Sequence, residues 1–254
     1  MKFVALIPSR YASTRFPGKP LALLGGKPIV QWVYETTQSC FDATYVATDN
    51  EEIYNCVTSF GGKAIMTSSN HKSGTDRIHE AYNKLEEKYD VVVNVQGDEP
   101  FVAPQQLELL KTCFTDPETA IATLVKPFER GCDWNIINNP NTPKVVMDNK
   151  MHALYFSRSV IPYIRGKEQS EWSKSHQFYK HLGIYAYRSE VLRTIAQLPP
   201  SELELAESLE QLRWLQAGYT IKVGITDIET VGIDTPEDLV KAESLLSNKL
   251  NMLK

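Results

Sequence analysis

Val91-Val92-Val93-Asn94-Val95 runs without interruption into Gln96-Gly97-Asp98-Glu99-Pro100. A short apolar run bounded by turn residues reads as a strand. Strands buried on both faces in this way belong to parallel sheets covered by helices. An acidic pair just past such a strand lies where open α/β sheets bind their ligands. A carboxylate there suits Mg²⁺, which takes one or two carboxylates and completes its shell with substrate oxygens. The competing reading makes Asp98 a cap for a helix over Pro104–Phe114, but several residues separate them.

Toward the N-terminus, Phe3–Ile7 is a second buried run, and Pro8, which has no N–H for a ladder, is expected to end that strand. The stretch Ile7–Leu21, IPSRYASTRFPGKPL, then spaces Arg10, Arg15 and Lys19 through turn residues. Gly18 opens conformations closed to other residues, while Pro17 and Pro20 stiffen the loop. A rigid cationic loop with free N–H groups at a strand end suits a polyanion such as a triphosphate. Surface loops also carry Arg and Lys for solubility, and Gly18-Lys19-Pro20 is not a Walker sequence.

Onward from that loop, strands and helices alternate. Pro28 is expected as the first residue of a helix with Ile29, Val30, Val33 and Tyr34 on its apolar face. Thr44–Thr48 reads as a strand, and Asp49 with Glu52 as the capping box of a helix over Glu51–Phe60. Lys63–Met66 is a short strand. Ser69–Arg77, SNHKSGTDR, opens a helix running to about Lys88, capped by Ser73 or Thr75. Its first N–H groups suit a base or a phosphate, although a plain helix cap explains Ser73-Gly74-Thr75 equally well.

The second half reads differently. Thr119–Lys126 is a strand, 127–142 an irregular excursion, and Lys144–Met147 with His152–Phe156 a hairpin about Asp148-Asn149-Lys150. Ile164–Gln177 reads as a mobile loop or a partner-facing segment. Leu182–Tyr187 is a strand. One helix is expected over Glu204–Ala217, with Leu205, Leu209, Leu212 and Leu215 on one face. Tyr219–Ile225 is a strand and Thr235–Leu250 a closing helix, boxed by Thr235 and Asp238 with Pro236 at its first position. Asp234 either favours that helix dipole or is a second metal ligand.

Composition excludes several classes. The chain has 254 residues, 42% of them hydrophobic, and a net charge of −4 from 27 basic and 31 acidic residues. That balance argues against a general binder of nucleic acid or anionic membrane. No apolar stretch is long enough to span a bilayer, and the five-residue run after Lys2 is too short for a signal-peptide core. Cys40, Cys56, Cys113 and Cys132 form no CxxC pair and read as reduced cytosolic thiols. The histidines lack zinc spacing. There is neither a GxGxxG nor a GxSxG segment, which disfavours nicotinamide dehydrogenases and α/β-hydrolases.

The segments RYASTRFPGKPL, HKSGTDR, NVQGDEP, LYFSRSVIPY, KHLGIYAYR, LEQLRWLQAG and GIDTPEDL occur together and in order. By these the chain resembles the 3-deoxy-manno-octulosonate cytidylyltransferases, or CMP-Kdo synthetases, of lipopolysaccharide biosynthesis, from Phe3 to Leu239. The resemblance implies one α/β domain over 1–254 with the nucleotide-diphospho-sugar transferase fold. That fold is a three-layer sandwich with a mostly parallel mixed sheet. It also implies a sugar-binding and dimerisation subregion near 127–190, a cytoplasmic homodimer, and transfer of CMP from CTP to Kdo with Mg²⁺. Arg10, Arg15 and Lys19 would hold the triphosphate, with Ser9 beside the base. His71, Ser73 and Gly74 would form the cytidine pocket. Asp98 and Asp234 would hold magnesium; Arg10, Lys19 and Asp98 would carry the catalytic charge. Arg77, Gln96, Arg158, His181, Tyr185 and Glu210 would surround the sugar acid. Another nucleotidyltransferase or a glycosyltransferase on the same fold, and a non-catalytic nucleotide-binding module, are the alternatives.

Overall fold

The computed structural model describes residues 1–12 and 15–252, with side chains described to residue 247. The chain divides into two compact units, 1–107 with 230–254, and 108–229.

In the first unit, four parallel strands lie in the order β4-β1-β2-β3: β1 is Phe3–Ser9, β2 Ala43–Thr48, β3 Ala64–Met66 and β4 Val91–Asn94. Val4, Ala5, Leu6 and Ile7 of β1 and Val91, Val92 and Val93 of β4 are fully buried. Each larger side chain among them contributes roughly 1.5–3 kcal/mol by leaving water. Helices α1 (Ile29–Gln38), α2 (Glu51–Ser59) and α3 (Gly74–Asn83) connect the strands, and Pro236–Met252 forms the closing helix.

Three local expectations are corrected here. Pro8 does not end β1, which continues to Ser9 opposite Thr48. The last β1 residue in register with β4 is Leu6, opposite Asn94, so the missing N–H of Pro8 interrupts no ladder on that side. Pro28 stands just before α1 rather than inside it. The α2 cap is Asn50, whose side chain accepts from Ile53 N at 3.0 Å; Asp49 is used elsewhere. Ser73 does cap α3, accepting from Asp76 N at 3.1 Å, and Thr235 with Asp238 does box the closing helix.

In the second unit, β5 (Ile121–Pro127) pairs antiparallel with β8 (Tyr179–Arg188) and parallel with β9 (Ile221–Ile225). The hairpin of β6 (Lys144–Met147) and β7 (Ala153–Ser157) forms as expected. Two readings change. The segment 164–177 is anchored: Trp172 is 3% exposed and packs with Phe128, Ile137 and Phe178. The helix expected over Glu204–Ala217 is two, α4 (Glu202–Glu207) and α5 (Gln211–Gln216), broken at Ser208, whose φ is 51°. Leu205 is accordingly exposed while Leu209 and Leu212 are buried.

Candidate active site

In the first unit, the carboxyl ends of β1 and β4 open into a cavity of about 260 Å³. Its lining includes Ser9, Arg10, Arg15, Lys19, His71, Ser73, Gly74, Arg77, Gln96, Asp98 and Asp234. Thus every nucleotide, phosphate and metal residue expected from sequence meets in one place, together with two of the six sugar residues.

The cationic loop is closed by Gly18 N–H donating to Tyr11 O at 3.0 Å, with Gly18 at φ 68°, a left-handed conformation that favours glycine. Ser13 and Thr14, inside the RYASTRFPGKPL segment, lie outside the described residues. Closure delivers Lys19 into the floor of the cavity, where its residue is 8% exposed. Lys19 Nζ reaches Asp98 Oδ2 at 2.6 Å and Asp234 Oδ1 at 3.1 Å. Arg15 meets the other oxygen of Asp234 at 3.1 Å, and Arg10 is exposed at the mouth. Asp234 is brought beside Asp98 by the backbone, since Ile233 N–H donates to Asp98 O at 2.9 Å.

Gly97 is dictated by close approach. A Cβ there would stand 2.5 Å from Ser9 Oγ and 3.0 Å from Pro8 O. Beside it, Glu99 Oε2 is buried without a hydrogen-bond partner among the described residues. Burial, with Asp98 and Asp234 nearby, pushes that carboxyl up to about 8. Two carboxylates converging on one ammonium give hard oxygen donors, with room in the cavity for substrate oxygens; this set fits Mg²⁺. No cluster of three or more protein ligands exists among the described residues, so the rest of the shell would come from nucleotide and water.

Arg77 lines the cavity, yet its guanidinium is engaged beneath it. It donates to Asp49 Oδ2 at 2.8 Å and Thr67 Oγ1 at 2.7 Å. Glu80, one helical turn on, accepts from Ser68 N at 2.9 Å, pairs with Lys84 at 2.7 Å and makes a short contact with His71 Nε2. Burial alone would raise the Glu80 carboxyl, but hydrogen bonds from Lys84, Ser68 and His71 pull it down to about 2. Sequence reading passed over Thr67 and Glu80 and took Asp49 for a helix cap; the Arg77-Glu80-Lys84 spacing on one helix face was the available signal.

The remaining sugar candidates lie in the second unit. His181 Nε2 is 3.1 Å from Thr123 Oγ1, and its ring sits between Phe156 and Tyr185, 5.0 and 5.3 Å from their centroids. Desolvation pushes the imidazole down to about 3 and the Tyr185 hydroxyl well above its ordinary range. The Tyr185 hydroxyl and the Trp214 indole N–H are buried without hydrogen-bond partners among the described residues. Glu210 is held by Arg213 at 3.0 Å, and Arg213 also grips Glu204. Arg158 is tied to backbone carbonyls: Nε to Glu207 O at 2.5 Å, and the two terminal nitrogens to Pro140 O and Ser208 O at 2.8 and 3.2 Å.

A strand-end cavity that joins a cationic loop to paired carboxylates is the site of a nucleotide-handling α/β enzyme, and the comparisons make the class specific. A family model described as cytidylyltransferase matches residues 4–223. The 3-deoxy-manno-octulosonate cytidylyltransferase of Parabacteroides distasonis is 61% identical over 250 residues, 98% of this chain and 100% of its own. That of Phocaeicola vulgatus is 60% identical over 249 residues, 98% of this chain and 99% of its own. The solved structure of CMP:2-keto-3-deoxy-manno-octonic acid synthetase complexed with CTP matches with a TM-score of 0.89 and 42% identity. It covers 98% of this chain and 100% of that one. The chain belongs to the 3-deoxy-manno-octulosonate cytidylyltransferase family, nucleotidyltransferases with the nucleotide-diphospho-sugar transferase fold.

Proposed function

We propose that this protein transfers CMP from CTP to the anomeric hydroxyl of Kdo, giving CMP-Kdo and diphosphate for lipopolysaccharide assembly. The observation that carries the reading is the convergence of Arg10, Arg15 and Lys19 with Asp98 and Asp234 on one cavity, in a chain of this family.

The anomeric oxygen forms a bond to the α-phosphorus as the bond to the departing diphosphate breaks in line. Such transfers depend on positioning and on stabilising charge. Arg10, Arg15 and Lys19 bind the triphosphate, and Arg10 and Lys19 steady the charge growing on diphosphate. Asp98 and Asp234 would hold magnesium, which supplies Lewis-acid polarisation of phosphoryl oxygens when bound. Ser9, His71, Ser73 and Gly74 line the base side. Gln96 in the first unit, and His181, Tyr185 and Glu210 in the second, each offer donors and acceptors suited to a polyhydroxylated acid; the guanidinium groups of Arg77 and Arg158 are engaged by the protein itself. With its imidazole near 3, His181 is a weak base and acts as a hydrogen-bonding group. The protein works as a cytoplasmic homodimer in this reading, which light scattering and cell fractionation test.

The deciding experiment is diphosphate release from CTP and Mg²⁺, scanned over Kdo, 8-amino-Kdo and sialic acid. Turnover with Kdo is expected. Absence of turnover with all three acids, or equal turnover with ATP or GTP, overturns the reading.

A further inference from the structure

Arg77 and Glu80 on α3 and Lys84 just past its end lie three and four residues apart, and all three grip the end of β3 or the segment that follows it. Lys84 Nζ donates to Met66 O at 2.7 Å, Arg77 to Thr67 Oγ1 at 2.7 Å, and Ser68 N donates to Glu80 Oε2 at 2.9 Å. The same Glu80 oxygen meets His71 Nε2. His71 lines the cavity, and its other ring nitrogen, Nδ1, makes no hydrogen bond among the described residues.

These contacts fix the chemistry of the ring. An ionised carboxylate can only accept, and Glu80 is held ionised by its three partners. The shared hydrogen therefore resides on Nε2. In a neutral imidazole the other nitrogen is then an acceptor. Cytosine carries an exocyclic amino donor where uracil carries a carbonyl acceptor, so an acceptor at this wall favours the first and opposes the second.

We propose that Glu80 is a specificity-determining positioning residue: by holding His71 through Nε2, it presents Nδ1 as the acceptor that selects an amino-bearing pyrimidine nucleotide over its carbonyl counterpart. The proposal rests on the nucleotide reading of the cavity given above.

The test is calorimetric binding of CTP and of UTP to the full chain with Mg²⁺ and without sugar. The unaltered protein is expected to prefer CTP. Glu80→Ala should reduce that preference about tenfold, and His71→Ala should reduce it similarly, with the double variant no worse than either. Glu80→Gln keeps an oxygen that can accept from Nε2–H, so it should retain the preference within about threefold. Nitrogen NMR should report the Nε2–H tautomer in the unaltered protein. Equal weakening of CTP and UTP in Glu80→Ala, which a merely structural role produces, overturns the proposal, as does an Nδ1–H tautomer. Should Glu80→Ala fail to fold, His71→Ala and the tautomer decide. A protein that binds neither nucleotide overturns the proposed function and this proposal together. One that prefers CTP whatever stands at positions 71 and 80 overturns only this proposal.

Discussion

Lys19 donates to Asp98 at 2.6 Å from the same ammonium that reaches Asp234. The cation thus stands among the groups proposed to hold magnesium. Lys19→Met should lower turnover by at least ~100-fold, the scale of losing one preorganised electrostatic stabiliser. With the competing ammonium gone, half-saturation by Mg²⁺ should come at an equal or lower concentration. A magnesium titration of diphosphate release reads both; wild-type turnover would reduce Lys19 to a counter-ion.

Asp98→Asn keeps the shape of the side chain and removes a hard anionic ligand. Turnover should fall at least ~100-fold. Asp234→Asn should be severe if Asp234 is a ligand and mild if it only favours the helix dipole. Near-normal activity and magnesium dependence in Asp98→Asn would remove it from the metal site.

The Arg77–Asp49 pair is nearly sealed, with side chains 4% and 12% exposed. Removing one partner strands a buried charge, so Arg77→Leu should cost about 3 kcal/mol or more in urea unfolding. A stable Arg77→Leu protein with selectively weakened Kdo use would instead make Arg77 a direct sugar contact.

His181→Ala and Glu210→Ala should raise the KM for Kdo. CTP binding measured without sugar should stay within about threefold, under ~1 kcal/mol. Unchanged Kdo kinetics in both variants would exclude them from the site, and a parallel loss of CTP affinity would place them on the nucleotide side.

Glu80 also predicts an acid response. Its carboxyl is held at about 2 against an ordinary 4.5. Between those values the unfolded chain binds more protons at this position than the folded one, so stability rises with pH. The contribution is complete above about 4.5 and lost as pH falls through about 2. Unfolding free energy measured across this window should fall less steeply in Glu80→Gln than in the unaltered protein; parallel slopes would show that the Glu80 contacts do not persist in solution.

The strand framework, and a cationic loop and an acidic pair at strand ends, were legible in sequence from local signals, whereas the meeting of the loop with Asp98, Asp234 and the Ser73 turn was implied by the family resemblance. Val91–Val93 and Val4–Ile7 announce buried strands, and ligand groups follow their carboxyl ends. What local signals could not show was competition between partners. Asp49 has cap chemistry, but Arg77, 28 residues on, takes its carboxylate and Asn50 caps the helix. The leucine spacing runs across Ser208 undisturbed, so the break at a left-handed serine was invisible. Trp172, one aromatic residue in a polar stretch, anchors 164–177 through contacts with distant Phe128 and Phe178. The Arg158 guanidinium is engaged by carbonyls that only the folded chain assembles.

The close approach at Gly97 bears on drug resistance. A Cβ at position 97 would meet Ser9 Oγ at 2.5 Å and the main-chain oxygen of Pro8 at 3.0 Å. Any substitution of Gly97 must push against these atoms, and Pro8, Ser9 and Gly97 all line the cavity. An inhibitor that draws its affinity from the Pro8–Ser9 and Gly97 backbone would therefore leave a bacterium few viable escape mutations, whereas one that leans on exposed Arg10 could be evaded by a single side-chain change.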